Sequence, residues 1–102
     1  MPATSSVAEN EPSEEELLEA LQAEFAKLKV SDVLVQTVFT VSSLGYRNLG
    51  EEARDLEQAK LAIDALGAIV PLLKGAVADD VHRDLVQMVA NMQLAYAKAA
   101  AA

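Results

Sequence analysis

A run of fourteen residues without a charged side chain, from Val33 to Tyr46, limits the folds open to this chain more than any other feature. Several of its residues are β-branched, so a strand competes with a helix here. Two observations favour the helix: the apolar residues fall into two stripes at helical spacing, and the run has no hairpin partner. The two stripes are Leu34, Val38 and Val41, and then Val35, Phe39 and Ser42.

A helix that is apolar on two faces must be covered on both of them. As a helix, this run would rise about 21 Å, less than the roughly 30 Å hydrocarbon core of a bilayer, so we do not expect it to cross a membrane. A chain of 102 residues buries its own surface only marginally. We therefore expect a two-fold homodimer, in which one face meets the protomer's own helices and the other meets the same helix of the partner. The predicted interface residues are Leu34, Val35, Val38, Phe39, Val41, Ser42 and Tyr46.

The segment before this run predicts a first helix over residues 14–29. Ser13 and Glu16 have the spacing of a capping box, and three glutamates in the first turn suit the positive end of the helix dipole. Apolar residues then recur every three or four positions and form one stripe. These residues are Leu18, Leu21, Phe25 and Leu28.

Two further helices are predicted after the uncharged run, over residues 52–74 and 80–98. Gly45 to Gly50 is interpreted as a helix end and loop. The candidate caps or starts are Ser31 and Asp32 for the second helix, Glu51, Glu52 or Asp55 for the third, and Asp79 or Asp80 for the fourth. Pro71 should distort the last turn of the third helix, and Gly75 should end it. The most regular apolar stripe consists of Leu56, Ala59, Ile63, Leu66, Val70 and Leu73.

Together these patterns predict an all-α fold: a small bundle of four helices at about 14–29, 32–46, 52–74 and 80–98. Residues 13–102 form a single helical domain, preceded by a disordered acidic tail over residues 1–12. Because the tail has neither a basic nor an apolar region, we do not read it as a secretory signal. Without such a signal we expect a cytoplasmic bacterial protein, and the alanine-rich composition fits a GC-rich genome.

The net charge of -8 argues against direct nucleic-acid binding, and its acidity is concentrated at the N-terminal end. Residues 1–24 contain seven glutamates and neither Lys nor Arg. We interpret this as a solvating tail plus a charged helix start, with an acidic arm for a basic protein partner as the alternative. The absence of cysteine excludes disulfides, thiolate metal sites and a cysteine nucleophile.

No set of residues forms a convincing catalytic or metal-binding pattern, so we expect neither an enzyme nor a cofactor. Asp79, Asp80, His82 and Asp84 could be imagined as metal ligands, but a helix cap and an acidic first turn explain the aspartates, and His82 is then an exposed residue. Asp64 is expected at the edge of its helix. Ser42 and Ser43 have no nearby base within their own helix.

Short segments spread over residues 31–98 carry a resemblance to a known family. They are Leu44-Gly45, Asn48-Leu49-Gly50, Asp55 to Lys60, Ile63-Asp64, Leu66, Leu73-Lys74-Gly75, Leu94 and Tyr96. In these segments the chain resembles the bacterial domain-of-unknown-function family 1844, which consists of small helical proteins. The resemblance implies a helical fold. Because the family carries no established activity, it implies no catalytic residue, cofactor or partner.

Two functions remain open from the sequence. The first is a non-enzymatic structural or protein-interaction module that acts as a homodimer, with an unidentified protein partner also possible. The second is a helical bundle that binds a small molecule in an apolar pocket lined by Phe39, Ile63 and Met88.

Overall fold

The computed structural model describes residues 12–102, so the predicted disordered tail lies outside the described residues except for Pro12. The predicted all-α fold with four helices is confirmed, and the described residues contain no strand. In chain order the helices are α1 (Glu14–Lys27), α2 (Val30–Leu49), α3 (Leu56–Ile69) and α4 (Asp79–Ala101), with a 3₁₀ turn (Val70–Leu73) after α3.

Helix α1 begins where the sequence predicts, because Ser13 caps it. The Ser13 hydroxyl accepts a hydrogen bond from the Glu16 backbone N–H at 3.2 Å. The helix ends at Lys27, two residues before the predicted end. Leu28 and Lys29 are both extended and form the entire connection to α2.

The whole uncharged run is helical and lies within α2, so the strand alternative is wrong. It is longer than predicted, from Val30 to Leu49, and the predicted helix end at Gly45 is wrong. Gly45 lies inside the helix and is buried where α2 approaches Ala62 and Met92. The predicted cap at Ser31 or Asp32 is also wrong, since Lys29 occupies the cap position without a side-chain hydrogen bond.

The connection from α2 to α3 is held by hydrogen bonds from both sides. The Asn48 side chain donates to the Ala53 carbonyl at 3.1 Å, and the Asp55 N–H donates to the Asn48 carbonyl at 2.9 Å. Asp55 caps α3 by accepting from the Gln58 N–H at 3.2 Å. Helix α3 therefore begins at Leu56, later than the predicted residue 52.

The end of α3 follows the predicted proline and glycine signals. Pro71 lies in the four-residue 3₁₀ turn, because its ring cannot donate the backbone hydrogen bond that an α-helix needs. Gly75 has a φ of 83°, a left-handed conformation that L-residues with a side chain avoid. The chain then enters α4.

Helix α4 differs from the prediction at both ends. Asp79 is the first helical residue and Ala78 the cap, so neither predicted aspartate is the N-cap. The helix continues to Ala101 instead of ending near residue 98. The Arg54 guanidinium donates to the Ala99 carbonyl at 3.3 Å, which gives one of the last carbonyl groups a partner.

The core lies between α2, α3 and α4, with the 3₁₀ turn at one end. The predicted stripe of α3 is confirmed, since all its members except the half-buried Leu56 are buried. The main cluster of buried residues is Val38, Ile63, Leu66, Val70, Leu73, Leu85, Val89 and Met92.

Helix α1 stands apart from this three-helix core. None of its residues is buried, and it makes no contact with another helix of the described chain. The radius of gyration is 20.4 Å, whereas a compact chain of this length would have about 13 Å. No helix in residues 12–102 has the length and hydropathy to span a membrane.

Candidate interaction surface

Helix α2 turns one face toward the protomer's own core. Val38, Ser42, Gly45 and Leu49 are the buried residues of this face. The Ser42 hydroxyl donates to the Phe39 carbonyl at 2.9 Å, so the one buried hydroxyl of the core is satisfied within the helix. This face of α2 is therefore buried by contacts within the protomer and is not available to a partner.

Gly45 marks the closest approach between α2 and its neighbours. A Cβ atom at this position would lie 2.7 Å from the Met92 methyl carbon and 2.9 Å from the Ala62 Cβ. Both distances are shorter than real Cβ contacts allow. Gly45 is therefore needed so that α2 can approach α3 and α4, and this is why the glycine does not end the helix.

The seven predicted interface residues separate into three groups. Val38 and Ser42 lie inside the protomer's own core and not on its surface. Leu34, Val35 and Val41 are partly buried against that core. Phe39 and Tyr46 are exposed, with 54% of the Phe39 surface open to solvent.

The exposed apolar residues of α2 lie on both flanks of its buried face. At 100° per residue, Phe39 and Tyr46 share one flank, while Val33 and Leu44 share the other. No charged residue lies between Val33 and Tyr46. The four apolar side chains therefore remain uncovered in a single chain, and the exposed Thr40 lies on the same side as Val33 and Leu44.

The flank that carries Leu44 borders an open groove between α2 and α3, with a volume of about 440 Å³. Small residues form its floor, and two exposed leucines stand at its edges: Leu44 and Leu61 are 55% and 61% exposed. The lining residues are Val41, Leu44, Gly45, Asn48, Gln58, Leu61, Ala62 and Ala65. The groove is open, mostly apolar and elongated along the two helices.

A second uncovered apolar surface lies on α1. Its large apolar residues occupy one sector of about 100° around the helix axis, as in a helix that packs against a partner. All of them are at least about half exposed, and Phe25 is 74% exposed. The members of this α1 stripe are Leu17, Leu18, Leu21 and Phe25 of the helix, together with Leu28 directly after it.

The residues weighed as catalytic or metal-binding do not form a cluster. Asp79, Asp80 and Asp84 are exposed, and the described residues hold no group of three or more possible metal ligands. His82 is half-buried, so the prediction that it is exposed is wrong; its Nε2 atom is enclosed without a hydrogen-bond partner. Asp64 is exposed, as expected for a residue at the helix edge.

The predicted pocket does not bring its three residues together. Ile63 is buried in the core cluster, Met88 packs partly against that cluster, and Phe39 lies on the surface. The α2–α3 groove contains none of the three. Any small molecule held by this groove would contact a different set of side chains.

The sequence did not predict the α2–α3 groove or the lack of contacts between α1 and the other helices. Leu44 and Leu61 lie off the regular stripes, which was a signal of exposed apolar surface at both positions. The isolation of α1 had no comparable signal, because an amphipathic stripe does not say which surface it meets. Comparison of the chain with models of protein families, with characterised proteins and with solved structures yielded no match.

Proposed function

We propose that this protein is a non-enzymatic structural or protein-interaction module that acts as a homodimer in the bacterial cytoplasm. The observation that carries the proposal is the apolar surface left exposed on α1 and on both flanks of α2. Monomeric proteins rarely expose contiguous apolar patches larger than about 300–600 Å². A surface of this kind is typical of a protein that buries it against a partner.

A non-catalytic role is supported by the state of the polar residues. The Ser42 hydroxyl is engaged with a backbone carbonyl, and Glu57 and Asp64 are solvated on the outside of α3. Membership of the domain-of-unknown-function family 1844 is a further part of the proposal. It rests on the sequence resemblance within residues 31–98 alone.

Sedimentation equilibrium of the full chain at micromolar concentrations tests the homodimer. We expect a mass about twice the 10.8 kDa of one chain, with dissociation on dilution. A folded species that stays at 10.8 kDa at every concentration would contradict the proposal. Circular dichroism on the same samples establishes that the chain is folded.

The second candidate is a module that binds a small apolar molecule, and the α2–α3 groove favours it. Its volume of about 440 Å³ is within the range of ligand sites, and most of its lining is apolar. The same sedimentation experiment separates the two candidates. A monomer would leave the groove open for a ligand, whereas the dimer proposed below would fill it.

A further inference from the structure

We propose that the α2–α3 groove of one chain is occupied by the α1 stripe of a second copy, and that the two copies exchange their α1 helices reciprocally. This inference rests on the proposed homodimer and names the surfaces that form it. The chain carries both an amphipathic helix that contacts no other helix and an apolar groove that is open, and the inference pairs these two surfaces.

Helix α1 requires a surface to pack against. It has 14 residues, and isolated helices of about this length are marginal in water even when the sequence favours them. The Ser13 cap and the acidic first turn help to start it, but most helical stability comes from packing an apolar face. In a single chain that face meets nothing.

The groove suits a helix with large side chains. Ala62 and Ala65 on its floor carry only a methyl group, so a second helix could come close to α3. Leu44 and Leu61 at the edges would then pack on either side of it. An amphipathic helix in an apolar groove is a common mode of recognition between chains.

Estimates of buried area favour this arrangement over one built on α2 alone. If a fully exposed large apolar side chain presents roughly 200 Å², the α1 stripe exposes on the order of 600 Å² per chain. Leu44 and Leu61 at the groove add about 230 Å² on the same basis. Two reciprocal contacts would therefore bury about 1,700 Å², inside the roughly 1,200–2,000 Å² range of stable interfaces.

The opposite flank of α2 exposes much less apolar area. On the same basis Phe39 and Tyr46 together expose only about 190 Å² per chain, or about 380 Å² for a symmetric pair. That area is below the size of a stable interface. These two residues therefore lie at the margin of the dimer, and the α1 stripe supplies its main contact.

The connection between α1 and α2 indicates a second copy as the occupant. Leu28 and Lys29 are extended, with ψ angles of 135° and 145°, and they direct α1 away from its own groove. Folding back onto the same chain would require this two-residue connection to change conformation. An extended hinge that carries one element to a neighbouring protomer is the arrangement found in domain-swapped dimers.

Site-directed cross-linking tests the contact, because the chain contains no native cysteine. Two single variants, Leu21→Cys on α1 and Leu61→Cys at the groove, are mixed, allowed to exchange subunits and treated with a short bis-maleimide. Both side chains are exposed, so neither change should unfold the protomer. We expect a mixed cross-linked dimer, identified by mass spectrometry of the joined peptides.

The matched control replaces Leu61→Cys with Leu72→Cys, an exposed leucine outside the groove. The docked pair should give about tenfold or more product than this control, since docking holds the two thiols at a high effective concentration. Equal yields would overturn the inference. It would also be overturned if a Leu21→Cys/Leu61→Cys double variant cross-linked only within one chain.

These outcomes separate the inference from the proposed function. A sedimentation mass of two chains without the 21–61 cross-link would refute helix exchange and leave the homodimer standing. A mass of one chain at every concentration would refute both.

Discussion

At the scale of single residues, the packing of this protein depends on the absence of a side chain at Gly45. Ala62 Cβ would lie 2.9 Å from a Cβ at that position, and it cannot move without moving the α3 backbone. The Met92 methyl group is also too near, but it ends a flexible side chain that could turn aside. Gly67 offers the opposite case, since a Cβ there would meet nothing within 4 Å.

Alanine at these two glycines should therefore change stability in opposite directions. We expect Gly45→Ala to lower the free energy of unfolding by about 1–2 kcal/mol, because overpacking outweighs the better helix propensity of alanine. Gly67→Ala should raise it by about 0.5–1 kcal/mol. Urea unfolding of both variants at one protein concentration measures this. Equal stability of the two variants would show that the helices do not meet at Gly45.

At the scale of one element, α2 shows how neighbouring residues differ in role. Val38 is fully buried between the three core helices, while the next residue, Phe39, lies on the open flank. The sequence alone distinguishes two apolar stripes on α2, but it does not say how the helix is rotated against its own bundle. For that reason Val38 and Ser42, predicted at the interface, lie in the core.

The same aspartate substitution at these two positions gives a direct test of the rotation of α2. Val38→Asp should unfold the protomer, because an unpaired charge in the core costs several kcal/mol. Phe39→Asp should leave the protomer folded, with the free energy of unfolding of the protomer changed by about 0.5 kcal/mol or less. Helical circular dichroism during a urea titration distinguishes them. Loss of helix in both variants would contradict the observed orientation.

The core was the part of the fold best predicted from the sequence. The stripe from Leu56 to Leu73 specifies its buried face by periodicity, and the Pro71 and Gly75 signals locate the end of α3 because both act through local backbone geometry. The predicted helix end at Gly45 was wrong because a glycine can either end a helix or allow close packing, and only the tertiary structure shows which of the two applies. The groove escaped prediction for a related reason, since it depends on how the consecutive helices α2 and α3 are rotated against each other, which the sequence does not show.

At the scale of the whole molecule, one chain does not bury all the apolar surface that its helices carry. The three-helix core buries one apolar cluster, but α1 and the α2–α3 groove leave two apolar surfaces open to water. Their combined area, on the order of 800 Å² per chain, is about that of one side of a standard interface. We expect a second copy to cover both surfaces in solution.

Hydrogen exchange followed by mass spectrometry, at protein concentrations above and below the dissociation constant, tests this claim most directly. We predict that backbone amides in residues 14–28 and 58–65 exchange more slowly at the higher concentration. Amides in residues 85–92, which lie in the core of each protomer, should change less. Exchange in residues 14–28 that is equally fast at both concentrations would contradict the claim.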